Sequence, residues 1–243
     1  MRQVSHHEQR RGTTDRHRRR RGLSALPAIA NGDDGFTLVE MAVVLVIIGL
    51  LLGGLLLPLG TQLENDRRKE TQAALETIRE VLIGYAVVNG SLPCHDTNGD
   101  GQPGPGACNG GANQRNVGGL PYGLLGVSAT DAWGRPWIYA VNGAYTGTIT
   151  LGTPASIAGN GNLEVWDGAG CGGTRQFAAQ LPAIVVSEGK NRYGGTLEPE
   201  NRDNDRCFTD AGYVQSTAGF DDLLTWVPPG VLFNRMVAAG TLP

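Results

Sequence analysis

A chain of 243 residues with net charge −3 has room for one or two domains. The charge is split: residues 1–35 carry eight Arg and four acidic residues (+4), and the remainder carries 12 basic and 19 acidic residues (−7). A basic tail on an acidic body excludes the profile of a nucleic-acid-binding domain, whose positive charge sits on the folded part.

In the first 35 residues, Ala28-Ile29-Ala30 looks like a signal-peptidase site, but the apolar core that should precede such a site follows it instead. Arg10-Arg11 lacks the context of a twin-arginine signal, and Arg18–Arg21 reads as a topology signal rather than a nuclear or RNA-binding patch. Residues 36–59 follow, 24 residues with one charge, Glu40. As a helix this run spans roughly 36 Å, against a hydrocarbon core of ~30 Å, so it is expected to cross a membrane. The Arg-rich flank predicts a cytoplasmic N-terminus and places residues 60–243 on the far side.

The cysteines agree with that topology. Cys94, Cys108, Cys171 and Cys207 all follow the apolar run, and no CxxC occurs. This argues against zinc or thioredoxin-like chemistry and for two disulfides in an oxidising compartment. Of the three possible connectivities, Cys94–Cys108 with Cys171–Cys207 closes the shortest loops and is the one expected.

The junction reads Gly35-Phe36-Thr37-Leu38-Val39-Glu40. With the long apolar run behind it, it resembles the type IV pilin and pseudopilin superfamily, whose signature is G-F-T-L-[IV]-E. The resemblance implies cleavage after Gly35 by prepilin peptidase, N-methylation of Phe36, and assembly with other pilins or pseudopilins through an inner-membrane platform. Two features depart from the family pattern: the leader is long, and Asp33-Asp34 precedes the glycine where Lys or Arg is usual. The residues make sense on their own as well. A carboxylate one turn into lipid is costly unless paired. A chain newly starting at Phe36 offers an α-amino cation, so that amine on one subunit is expected to meet Glu40 on its neighbour and set the axial register.

After Gly60 the pattern turns amphipathic. Ala74, Leu75, Ile78, Val81, Leu82, Tyr85 and Val88 recur at helical spacing, predicting one helix from about 37 to Asn89-Gly90. Pro58 weakens this helix, and the resemblance, to a family that often melts or kinks near this position, implies a hinge there. The expected organisation is a cytoplasmic leader (1–35, removed), a transmembrane and polymerisation helix (36–59), its amphipathic continuation (60–89), and a periplasmic globular part (90–243).

The last part is Gly-rich, the chain holding 37 glycines, and so rich in turns. Strands are predicted at Trp137–Val141, Thr148–Leu151, Leu163–Trp166, Ala183–Ser187 and Leu223–Val227. A short C-terminal helix starts at Pro228-Pro229 and ends before Gly240, with Leu232, Met236 and Val237 facing the body. The fold expected is α+β and pilin-like: a long N-terminal helix on a small antiparallel sheet domain with disulfides. The segment from Asp131 to Tyr139 looks like the D-x-W-G-x-x-x-x-Y stretch of type II secretion pseudopilins.

Two calcium candidates emerge. Asp96-Thr97-Asn98-Gly99-Asp100-Gly101 matches D-x-[DN]-x-[DN]-G, with Asp96, Asn98 and Asp100 as oxygen ligands, but position twelve is Ala107 rather than Glu. The second rests on the resemblance: major pseudopilins carry a C-terminal calcium loop, which Ser187-Glu188-Gly189 and Asp221-Asp222 match loosely. His95 is the one histidine after residue 60, and no GxSxG, HExxH or P-loop occurs. Catalysis is not expected. The expected function is a type II secretion pseudopilin, with a minor pilin of a type IV pilus (adhesion, motility or DNA uptake) as the alternative.

Overall fold

The computed structural model describes residues 35–105, 108, 115–153, 163–192, 197–203, 205–214 and 219–242, and of residues 54–59 and 115 the backbone alone. It divides into two compact units, Met1–Leu52 and Gly53–Pro243. Helix α1 runs Leu38–Asn89. In the first unit its apolar side chains, Leu38 to Leu52, stand exposed. Among the described residues no helix is long and apolar enough to cross a membrane. The span expected over 36–59 extends into residues 54–59, whose side chains lie outside the described set, as does that of Pro58, the expected hinge.

In the second unit α1 ends as the sequence signals. Gly90 follows it with φ +71°, the left-handed turn that glycine makes without steric cost, and donates to the Ala86 carbonyl at 2.8 Å. The elements after it are β1 (Arg115–Gly119), α2 (Tyr122–Leu125), β2 (Ile138–Asn142), β3 (Leu163–Trp166), β4 (Gln176–Leu181), β5 (Ala183–Ser187), β6 (Cys207–Thr209), β7 (Leu223–Val227) and α3 (Pro229–Ala238). Short 3₁₀ turns lie at Gly143–Tyr145 and Glu198–Arg202.

Two sheets form. One is antiparallel with strand order β1-β2-β5-β7; the other has order β4-β3-β6, with β3 and β6 parallel. Successive residues of β2 and β5 alternate between two cores. Tyr139, Val141, Ala183 and Val185 join Leu75, Ile78, Leu82, Ile83 and Ala86 of α1 and Leu232 and Met236 of α3. Ala140, Ile184 and Val186 meet Leu163, Val165, Leu181 and Phe208 of the second sheet. A central sheet covered on both faces explains why β5 reads as an unbroken apolar run rather than an alternating one. Full burial of each Leu or Ile contributes about 2 kcal/mol, so the helix is held to the sheet by packing rather than by its own propensity.

The α+β arrangement expected from sequence is the one observed, and both disulfides pair as expected, with Cα–Cα distances of 5.6 Å (Cys94–Cys108) and 5.2 Å (Cys171–Cys207). The structure corrects several details. Thr148–Leu151 is not a strand: the Ile149 N–H donates to Gly90, and the Thr150 N–H to the Thr153 hydroxyl, so the segment closes a turn against the end of α1. Val88 is 82% exposed and Val237 47% exposed, both off the faces assigned to them. Ile83 and Ala86 are buried instead, because α1 is covered by the sheet on one flank and α3 on another.

Candidate functional site

Residues singled out from the sequence gather in two main places, one in each unit. The first is the start of α1. Gly35 and Phe36 precede the helix in exposed, irregular backbone, and nothing lies within 4 Å of a Cβ added at the glycine. Thr37 caps the helix and Glu40 reaches back to it. The Glu40 carboxylate accepts from the Thr37 N–H and hydroxyl, both at 2.9 Å, and the Glu40 N–H donates to the Thr37 hydroxyl at 3.2 Å. This is a reciprocal capping box. Its T-x-x-E signal was present in the sequence, hidden by the stronger signature that overlaps it. Within a single subunit, Glu40 therefore already has a partner.

The second place is where the end of β5 lies beside the start of β7, in register Ser187↔Leu223. The Asp131 turn anchors it. Asp131 Oδ1 accepts from the N–H groups of Trp133 and Arg135, both at 2.9 Å, which folds the D-x-W-G stretch, and Oδ2 accepts from the Ser187 hydroxyl at 2.5 Å. The turn delivers Trp137 and Tyr139 to the core, and Thr71 of α1 accepts from the Ala132 N–H at 3.3 Å. The D-x-W-G and Ser-x-Gly stretches, 56 residues apart, are thus one hydrogen-bonded unit.

Beyond Ser187 the chain turns at Gly189, φ +57°, where an added Cβ would lie 2.8 Å from the Asp221 carboxyl carbon and closer still to its carbonyl oxygen. The turn aims the N–H groups of Lys190 and Asn191 at Asp221 Oδ2, at 2.8 and 2.9 Å. Asp222 and Glu198 lie beside Asp221, and all three offer carboxylate oxygens within 4.8 Å of one another. Glu198 is fully buried, and Asp221 and Asp222 are 2% and 3% exposed. Asn201 donates to Asp222 Oδ2 at 2.8 Å, while Asp222 Oδ1 is buried with no hydrogen-bond partner.

Clustering buried carboxylates disfavours their ionised forms. Burial pushes Asp221 up to about 7, with Glu198 adding to it against the pull of the Asn191 N–H. Burial also pushes Asp222 up to about 7; the Asn201 amide opposes it and the charges of Glu198 and Asp221 reinforce it. Nearby Glu188 is neutralised by Arg202 and, at 3.2 Å, by Arg192. The trio is an all-oxygen set with an orphaned acceptor, the donor chemistry that suits a hard divalent cation. Asp221 and Asp222 are the pair singled out from sequence; Glu198 was missed, because it arrives from a separate loop 23 residues earlier and no local motif surrounds it.

The Asp96 loop is different. Asp96 Oδ1 accepts from the Asn98 and Gly99 N–H groups at 2.9 and 2.8 Å, and Oδ2 from the Gly101 N–H at 2.7 Å. Burial raises its pKa, but these backbone donors outweigh that and hold it below the ordinary carboxylate value. Asn98 and Asp100 bond to each other, at 2.9 Å. The loop satisfies its own acceptors without an ion, and Ala107 at its twelfth position lies outside the described residues.

Comparison with known proteins agrees with the first place. Residues 31–56 match the family model of the prokaryotic N-terminal methylation motif. No curated protein and no solved structure matched the chain. Gly35, Phe36 and Glu40 all fall inside the matched segment. The chain carries the prepilin-type cleavage and methylation signal of the type IV pilin-like proteins.

Proposed function

We propose that this protein is a pseudopilin of a type II secretion system. Prepilin peptidase cuts after Gly35 and Phe36 is methylated. Residues 36–59 hold the subunit in the bacterial inner membrane, with the N-terminus cytoplasmic and residues 60–243 periplasmic. The subunit joins other pseudopilins at an inner-membrane assembly platform. The observation that carries the secretion reading is the Asp131–Ser187 link: it joins the D-x-W-G stretch, the pseudopilin-like part of the sequence, to the loop that cradles Asp221. Glu198, Asp221 and Asp222 would hold a calcium ion there, whose charge would offset the cluster's. The Asp96–Gly101 loop, being self-satisfied, is the weaker of the two calcium candidates. The alternative, a minor pilin of a type IV pilus, keeps the same processing and assembly.

Deleting the gene should trap folded exoproteins in the periplasm, read by mass spectrometry of the secretome. An unchanged secretome together with lost surface filaments, twitching or DNA uptake would instead establish the pilus reading. Glu40→Ala should leave cleavage intact and reduce incorporation into filaments at least tenfold in crosslinking assays. Normal incorporation would end the pairing role of Glu40.

A further inference from the structure

Lys190 stands between the carboxylate cluster and helix α1, and three of its groups are engaged. Its N–H donates to Asp221 Oδ2 at 2.8 Å, its carbonyl accepts from the Arg135 guanidinium at 2.5 Å, and its ammonium lies 3.4 Å from Glu64 Oε2 on α1. Glu64 is only 5% exposed although it sits among exposed neighbours on the helix. Its other oxygen accepts from the Tyr213 hydroxyl at 2.9 Å, and the Arg68 guanidinium, one turn further along α1, lies 4.6 Å above the Tyr213 ring. Tyr213 comes from the segment that leads from β6 towards Asp221. The segment that holds the Asp221 carboxylate and the segment that leads to Asp221 therefore both reach the same helical carboxylate.

We propose that the divalent cation held by Glu198, Asp221 and Asp222 acts as a latch for α1, transmitted from Asp221 through Lys190 to Glu64. The inference rests on the calcium reading above. With the cation in place, the Asp221 carboxylate is pinned and holds the Lys190 and Asn191 N–H groups, so the Lys190 ammonium stays over Glu64. Without it, three carboxylates within 4.8 Å repel one another, Asp221 swings, and the loop that carries Lys190 loosens. Glu64 then loses one of its two partners, and a buried carboxylate without its cation favours opening of the surrounding turn. The segment affected, about residues 61–71, is where α1 passes from its apolar run to the part packed on the sheet. Calcium would thereby regulate how firmly the globular part grips the helix that polymerises.

The test is amide hydrogen exchange on the full chain in detergent, in millimolar calcium chloride and in EGTA. Calcium should slow exchange in residues 187–191 and also, by about tenfold, in residues 61–71, a coupling within the usual range. In Lys190→Met the backbone contact to Asp221 remains, so calcium should bind as before and still protect 187–191, but the response of 61–71 should disappear. Tyr213→Phe, which keeps the ring under Arg68, should keep the response and lower the protection of 61–71 equally in both conditions. If calcium binds and protects 187–191 of the wild type but leaves 61–71 unchanged, the latch is overturned and the calcium site stands. A response of 61–71 that survives in Lys190→Met also overturns it. If calcium protects neither segment and does not bind, both readings fall together.

Discussion

In calcium-free buffer at pH 7.5, Asp222→Asn should be more stable than the wild type, by about 4 kcal/mol. Deleting a charge from a paired site normally destabilises, so the sign is diagnostic. Asp222 has a folded-state pKa of about 7, against an ordinary value of ~3.9 in the unfolded chain. Between those values the folded protein binds the extra proton, so stability is fully present below about pH 4 and is lost as pH rises to 7. At about 1.4 kcal/mol per unit, the loss is on the order of 4 kcal/mol for this residue. Asn keeps an oxygen to accept from Asn201 and carries no charge to bury. Chemical denaturation from pH 4 to 7.5 should show the wild type weakening relative to Asp222→Asn across that window. Adding calcium at a hundred times its dissociation constant should return about 2.7 kcal/mol to the wild type and nothing to the variant. Equal stabilities throughout would mean that Asp222 is not ionised in a desolvated site.

Gly189→Ala should cost about 3 kcal/mol and abolish the calcium response. Two penalties add. An L-residue at φ +57° costs about 1–2 kcal/mol. The new methyl would lie 2.8 Å from the Asp221 carboxyl carbon and closer to its carbonyl oxygen, an overpacking penalty of about 1–3 kcal/mol. Neither side can give easily, because the Asp221 backbone is placed by the strand it leads into and the Gly189 backbone by the strand it leaves. Gly90→Ala is the control: its φ is +71°, but nothing lies within 4 Å of the added Cβ, so only the first penalty applies. Urea titration of the two variants should separate them by at least 1 kcal/mol. Equal effects would show that the Gly189–Asp221 contact relaxes freely.

Much of this molecule is written in local sequence. Gly35–Glu40, the stop at Asn89-Gly90, and strands β3, β5 and β7 follow from short-range pattern, because turn residues and apolar runs act within a few positions. The disulfide pairing followed from loop length alone. The missed elements are those that tertiary context creates. Arg115–Gly119 has one large apolar residue in five, and becomes a strand by pairing along Ile138–Asn142. Cys207–Thr209 is three residues long and lies parallel to β3, held near it by the bond to Cys171. With those pieces unseen, a second sheet was unseen too. The carboxylate site divides in the same way. Asp221-Asp222 is adjacent in sequence and legible, whereas Glu198 joins it by the path of a loop. At the helix start the sequence signature singles out Glu40 and is silent about Thr37, whose hydroxyl donates to it.

The two disulfides also decide how far this chain stretches when it is pulled. Cys94–Cys108 and Cys171–Cys207 bracket sequence separations of 14 and 36 residues. Under tension, force passes through each sulfur bridge and bypasses the enclosed loop, so about 50 residues contribute no contour length. At about 3.5 Å per residue, an unfolded oxidised subunit extends roughly 160 Å less than a reduced one, allowing for the short spans across the bridges. The globular part would thus act as a short tether, coming taut early instead of paying out slack.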